Sequence, residues 1–153
     1  MRSVTIIVLI LTIFHSTQAW HAECGTEICV DGQFCMDRNG NETCVKSSMG
    51  SFIGISNIPE NTWVENHQEY TLFRSYIINF GENIRHITIG TDTPLELKYN
   101  ESSIWNINYN HKTLSEFATP PYQAGIKGGK SFGWGFIIKG KACPQMKIRY
   151  LVF

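Results

Sequence analysis

Cys24, Cys29, Cys35 and Cys44 fall within 21 residues and form the densest group of chemically capable side chains in the sequence. Thiols so close together either oxidise in pairs or hold a metal. Structural zinc sites favour C-x2-4-C pairs at both ends, whereas the intervals here contain four, five and eight residues. Disulfides are therefore the expected outcome, with zinc as the rival. A fifth cysteine, Cys143, stands apart with Pro144 behind it. It reads either as a buried, inert thiol or as a link to another chain.

Catalytic chemistry finds little support. Glycoside hydrolysis needs two carboxylates about 5 to 9.5 Å apart across the scissile bond. Glu65, Glu69, Asp92, Glu96 and Glu101 are scattered, and nothing marks two of them as partners. His67, His86 and His111 lack metal-ligand spacing such as H-E-x-x-H. No nucleophile elbow, phosphate loop or dinucleotide fingerprint occurs, and the glycines from Gly125 to Gly135 lack a strand-then-helix setting. The expectation is a non-enzyme without cofactor or metal. Thirteen basic residues balance thirteen acidic ones with no run of like charge, which argues against a nucleic-acid partner.

Positioning falls to strands. Arg2 precedes an uncharged, largely apolar run over 4–14, and Thr17-Gln18-Ala19 sets small residues where a signal peptidase reads, so 1–19 is expected to be a secretory signal. The run is too short to span a bilayer core of roughly 30 Å, and no later stretch matches it, so no membrane partner is expected once the signal is removed. The cysteine segment is expected to occupy 20–46, with Ser47-Ser48-Met49-Gly50 as a polar joint. Across 51–153 the pattern has period two. Tyr70, Leu72, Tyr76, Ile78 and Phe80 share one parity, as do Leu95, Leu97 and Tyr99; Phe132, Trp134, Phe136 and Ile138; and Met146, Ile148, Tyr150 and Val152. With turns at 81–83, 91–94, 120–121 and 128–129, the fold class expected is all-β, an antiparallel β-sandwich behind a small disulfide-rich module. Asn41-Glu42-Thr43 and Asn100-Glu101-Ser102 are N-glycosylation acceptor patterns that suit surface loops of an exported chain.

Two stretches resemble known families. The pattern C-x4-C-x5-C-x8-C, with Asn39-Gly40 before the last cysteine, resembles the follistatin-like, EGF-related module. That resemblance implies a hairpin turning at Asn39-Gly40 and the pairs Cys24 with Cys35 and Cys29 with Cys44. Spacing alone leaves all three connectivities open. The remainder is similar to carbohydrate-binding module family forty-nine, found at the end of some plant endoglucanases and in wall and spore-coat proteins of social amoebae. The likeness rests on Asn61-Thr62-Trp63, the tyrosine-rich strand from Tyr70 to Asn79, Ile84 to Ile89, Ser103-Ile104-Trp105, Pro120-Pro121-Tyr122, and the block from Ala124 to Ile137. It implies cellulose or a related β-glucan as partner, with Trp63, Trp105 and Tyr122 as the contacting rings. Tyr122 stands where that family has Trp.

Sugar stacking has its own physical case. A β-linked glucan presents flat apolar C–H faces edged by hydroxyls, and a row of wet, rigid rings covers such faces while amides bond the edges. The competing description is core packing, since Trp and Tyr are usually largely buried. Trp63 lies among Asn61, Thr62, Glu65 and Asn66, which favours exposure, whereas Trp105 shares parity with Ile107 and Tyr109. Trp134 alternates with Phe132 and Phe136 and reads as core; Gly133 and Gly135 beside it suggest a close approach on the opposite face. Asn106, Asn108, Asn110 and Gln123 lie near two of the rings but read as solvated loop. The function expected is a secreted lectin of a matrix, wall or coat, with other coat or matrix proteins as further partners. The alternative is an extracellular protein-binding module in which the cysteine segment carries recognition.

Overall fold

A computed structural model describes residues 22–153. The expected signal at 1–19 lies outside the described residues. The chain runs through twelve strands: β1 (Ala22–Cys24), β2 (Glu27–Cys29), β3 (Gln33–Arg38), β4 (Asn41–Lys46), β5 (Ile53–Glu65), β6 (Gln68–Asn79), β7 (His86–Thr91), β8 (Ile104–Trp105), β9 (Asn108–Tyr109), β10 (Glu116–Ala118), β11 (Lys130–Lys139) and β12 (Met146–Val152). Two sheets face each other, one of order β4-β3-β12-β7-β10-β9 and one of order β5-β6-β11-β8; β1 and β2 form a separate ribbon. The fold is all-β, with antiparallel sheets apart from the parallel pair β3 and β12. Through that pair the cysteine hairpin β3-β4 continues the larger sheet.

The core lies between the sheets. Phe34, Ile87, Ile89, Phe117 and Leu151 enter it from one side and Phe73, Ile77, Phe132, Trp134 and Phe136 from the other. Trp134 is buried there, stacked 5.4 Å from Phe117 and 4.9 Å from Phe136. On β6 the inward parity is Thr71, Phe73, Ser75, Ile77 and Asn79. Its polar members are satisfied: Thr71 donates to the Gly140 carbonyl, Ser75 to Asn57 Oδ1, and the Asn79 amide to the Glu82 and Ile126 carbonyls. The parity bearing Tyr70, Leu72, Tyr76, Ile78 and Phe80 therefore faces outward. On β12 an irregularity between Ile148 and Tyr150 turns Leu151 into the core and leaves Tyr150 outside.

Disulfides join Cys24 to Cys35 and Cys29 to Cys44. The sulfurs of Cys24, Cys29 and Cys44 lie within 4.8 Å of one another, but all are oxidised, which leaves no thiolate for zinc. The β3-β4 hairpin turns at Asn39 (φ 56°) and Gly40 (φ 83°), the left-handed pair that a two-residue hairpin requires. Cys35 pairs with Tyr150 across β3 and β12 and with Cys44 across β3 and β4, so this outer row of the larger sheet packs beneath the β1-β2 ribbon. Cys143 is a free thiol that packs half-buried against the main core, and burial pushes it up to about 11, which keeps it protonated at neutral pH.

Candidate functional site

Cross-strand register brings Trp63 and Trp105 onto one surface. Trp63 on β5 is paired with Tyr70 on β6, Arg74 of β6 with Gly135 of β11, and Gly135 with Trp105 on β8. Directly paired residues point to the same side of a sheet, so residues on the two edge strands share the outer face of the four-stranded sheet. Trp105 is 42% exposed and Trp63 half-buried.

The Trp105 end is shaped by glycines. A Cβ on Gly135 would lie 2.3 Å from the Trp105 ring, and one on Gly133 would lie 3.2 Å from the Tyr76 ring. Each ring thus rests on bare backbone of β11. Tyr122, 73% exposed, donates its hydroxyl to Asn106 Oδ1 at 2.8 Å, and the Asn106 amide donates in turn to the Gly133 carbonyl. Asn106 holds a left-handed backbone (φ 59°), which Asn tolerates better than most residues. That relay ties Tyr122, on a loop after two prolines, to the same patch of β11. Arg74 adds a polar border through a two-pronged ion pair with Glu60.

The Trp63 end is organised by a cation. Trp63 and Tyr70 have ring centroids 6.0 Å apart. Lys98 Nζ lies 5.0 Å from the Trp63 centroid, 4.7 Å from that of Tyr70 and 4.6 Å from that of Tyr99. Lys98 also forms an ion pair with Glu65, whose other oxygen accepts from the Tyr99 hydroxyl at 3.2 Å. The bond from Lys98, aided by that from Tyr99, lowers the Glu65 pKa, and the bond to Glu65 raises that of Lys98. Tyr99 is 54% exposed.

Tyr70, Tyr76, Lys98, Tyr99 and Asn106 join Trp63, Trp105 and Tyr122 at this face without having been assigned to it from sequence. For Tyr76 the signal was its shared parity with Tyr70; for Asn106, its position beside Trp105. Asn108 and Asn110 lie instead at the far edge of the larger sheet, around a cleft with Glu116 and Ala118. Gln123 is spent on a local bond to the Gly125 carbonyl. Both acceptor asparagines are exposed, Asn41 beginning β4 and Asn100 in a single turn before β8.

A two-sheet β-sandwich with one outer face given to open aromatic rings has the build of a carbohydrate-binding module. Comparison with known proteins gives the family. The CBM49 carbohydrate-binding domain matches residues 53–139, a segment that opens with β5, closes with β11 and so contains the whole four-stranded sheet. Stalk-specific protein A of Dictyostelium discoideum is 33% identical over 159 aligned positions that cover all of both chains. The chain belongs to the CBM49 family. No solved structure matches it. Among the described residues, no helix is long and apolar enough to cross a membrane.

Proposed function

We propose that this protein is a secreted, non-catalytic lectin that holds cellulose or a related β-glucan on the outer face of the four-stranded sheet, within an extracellular matrix, wall or coat. One observation carries the reading: Trp63 and Trp105 come from opposite edges of the sheet onto one face. Wet rings with polar borders suit the flat faces and hydroxyl edges of a glucan. Trp63, Trp105 and Tyr122 are the stacking residues, and residues 51–153 form the binding unit. A relative named for a stalk supports an extracellular, structural setting. Export at 1–19 and glycans on the exposed Asn41 and Asn100 belong to the same proposal. The bonds from Lys98 and Tyr99 lower the Glu65 pKa and keep it ionised, which unfits it for the general-acid role of a glycosidase.

Retention on microcrystalline cellulose, with a soluble cello-oligosaccharide as competitor, tests the proposal. Retention should fall with Trp63→Ala and with Trp105→Ala while the fold is kept. Absence of retention in the wild type would reject it. The exposed Ile28 and Val30 favour a second reading, in which the cysteine segment recognises another protein of the coat. Under that reading, replacing both with Ser abolishes partner capture and leaves cellulose retention unchanged.

A further inference from the structure

We infer that the glucan chain lies along β11, that Tyr76 is a further stacking residue, and that Gly133 and Gly135 are positioning residues that lay Tyr76 and Trp105 flat on that strand. The inference rests on the proposed function and specifies the axis of its site.

Strand β11 is interior to its sheet, with β6 on one side and β8 on the other. Its outward positions are Ser131, Gly133, Gly135, Ile137 and Lys139, since Phe132, Trp134, Phe136 and Ile138 fill the core. At two successive outward positions it carries no side chain. Trp105 leans over Gly135 from β8, and Tyr76 leans over Gly133 from β6. A Cβ 2.3 Å from the indole cannot coexist with the ring in that place. Neither glycine has a positive φ, so conformational freedom is not what either supplies. The space above the backbone is what they provide.

Successive outward positions are about 7 Å apart, so Tyr76 and Trp105 follow each other along β11. Tyr122 joins at the Gly133 end through Asn106. Four residues beyond Gly135, about 13 Å further along, Lys139 pairs with Tyr70, beside Trp63 and the Lys98 cation. The half-buried Ile137 fills the interval. The order of contacts along the strand is thus Tyr122 and Tyr76, then Trp105, then Ile137, then Tyr70 and Trp63. A path across the strands would instead meet the Arg74–Glu60 ion pair on leaving Trp105.

The test titrates the full chain with cellohexaose, following amide shifts and affinity. Amides at outward positions of β11 should respond along its length, while those of β5 respond only near Trp63. Tyr76→Ala and Gly135→Ala should each weaken binding by about tenfold, as expected for loss of a buried aromatic contact, with melting temperature held near wild type. A double-mutant cycle separates positioning from mere structure. In a Trp105→Ala background, Gly135→Ala should cost nothing further, because its effect passes through the indole. Equal losses in both backgrounds, or unchanged affinity for Tyr76→Ala, would overturn the inference. So would shifts running across the strands from β8 to β5. If wild type does not bind at all, the proposed function fails instead.

Discussion

The outer faces of the two sheets make an instructive pair. Both carry aromatic side chains that point away from the shared core. On the six-stranded sheet the outward Tyr150 is covered: it packs against the cystine cluster and donates its hydroxyl to Glu42 at 2.7 Å, while the other Glu42 oxygen accepts from the Gly25 amide. On the four-stranded sheet, Trp105 and Tyr122 have no such roof among the described residues. A small sandwich that roofs one outer face with a disulfide-bonded ribbon and leaves the other open to water separates stability from binding. The covered face should answer to disulfides and phenol ionisation, the open one to ring deletions.

Among changes to the two outer faces, the largest effect should come from removing the roof. Replacing Cys24 and Cys35, or Cys29 and Cys44, with Ala opens loops of 11 and 15 residues, and each change should cost about 2 to 4 kcal/mol of stability in denaturant titrations. Glucan affinity, measured at a temperature where the variant stays folded, should not change. Loss of affinity in a folded variant would break the division between the faces.

Next comes Trp105→Ala on the open face. A central aromatic contact is worth about 2 kcal/mol, so affinity for cellulose should drop by roughly thirtyfold with little change in melting temperature. Trp134→Ala, on the same sheet but facing inward, should do the reverse and cost about 3 to 5 kcal/mol of stability.

Ionisation should give smaller effects. Burial, then the hydrogen bond with Glu42, pushes the Tyr150 phenol up to about 12 from an ordinary value of 10. The folded state therefore keeps a proton that the unfolded chain gives up. The stabilisation is complete below pH 10 and is lost as pH rises towards about 12, which tyrosinate absorbance alongside unfolding titrations can follow. Tyr150→Phe should flatten that alkaline decline. The smallest effect is expected at Glu65, whose pKa lies below the ordinary carboxylate value because of the bond from Lys98 and that from Tyr99. Its contribution is present above the unfolded pKa and fades as pH falls through the lowered folded one. Acid titration by NMR should then loosen the Lys98 and Tyr99 signals while leaving Trp105 unmoved.

Much of this was legible in the sequence, and the exception is informative. Alternation marked β6, β11 and β12 as strands, and it put Trp134 inside with Phe132 and Phe136. Gly133 and Gly135 signalled a close approach on the other side of β11, which the indole of Trp105 and the phenol of Tyr76 make. Alternation did not say which side of β6 meets the core. Tyr70, Leu72, Tyr76 and Ile78 outnumber the apolar residues of the opposite parity, yet Thr71, Ser75 and Asn79 are the buried ones because each finds a hydrogen-bond partner inside. A face used for stacking is itself apolar, so composition alone cannot tell it from a core. Parity also misled at Trp105, whose neighbour Ile107 is buried, because the left-handed turn at Asn106 interrupts the strand between them. The Lys98 cluster escaped notice because its parts lie on β5, β6 and the segment before β8, and only register unites them.

The indole N–H resonances provide the most direct measurement. Three described tryptophans sit in contrasting places: Trp63 and Trp105 on the open face, Trp134 in the core. On titration with cellohexaose, the signals of Trp63 and Trp105 should shift together with one dissociation constant while that of Trp134 stays still. Movement of Trp134 without the other two, or no movement at saturating glucan, would contradict the open aromatic face as the binding surface.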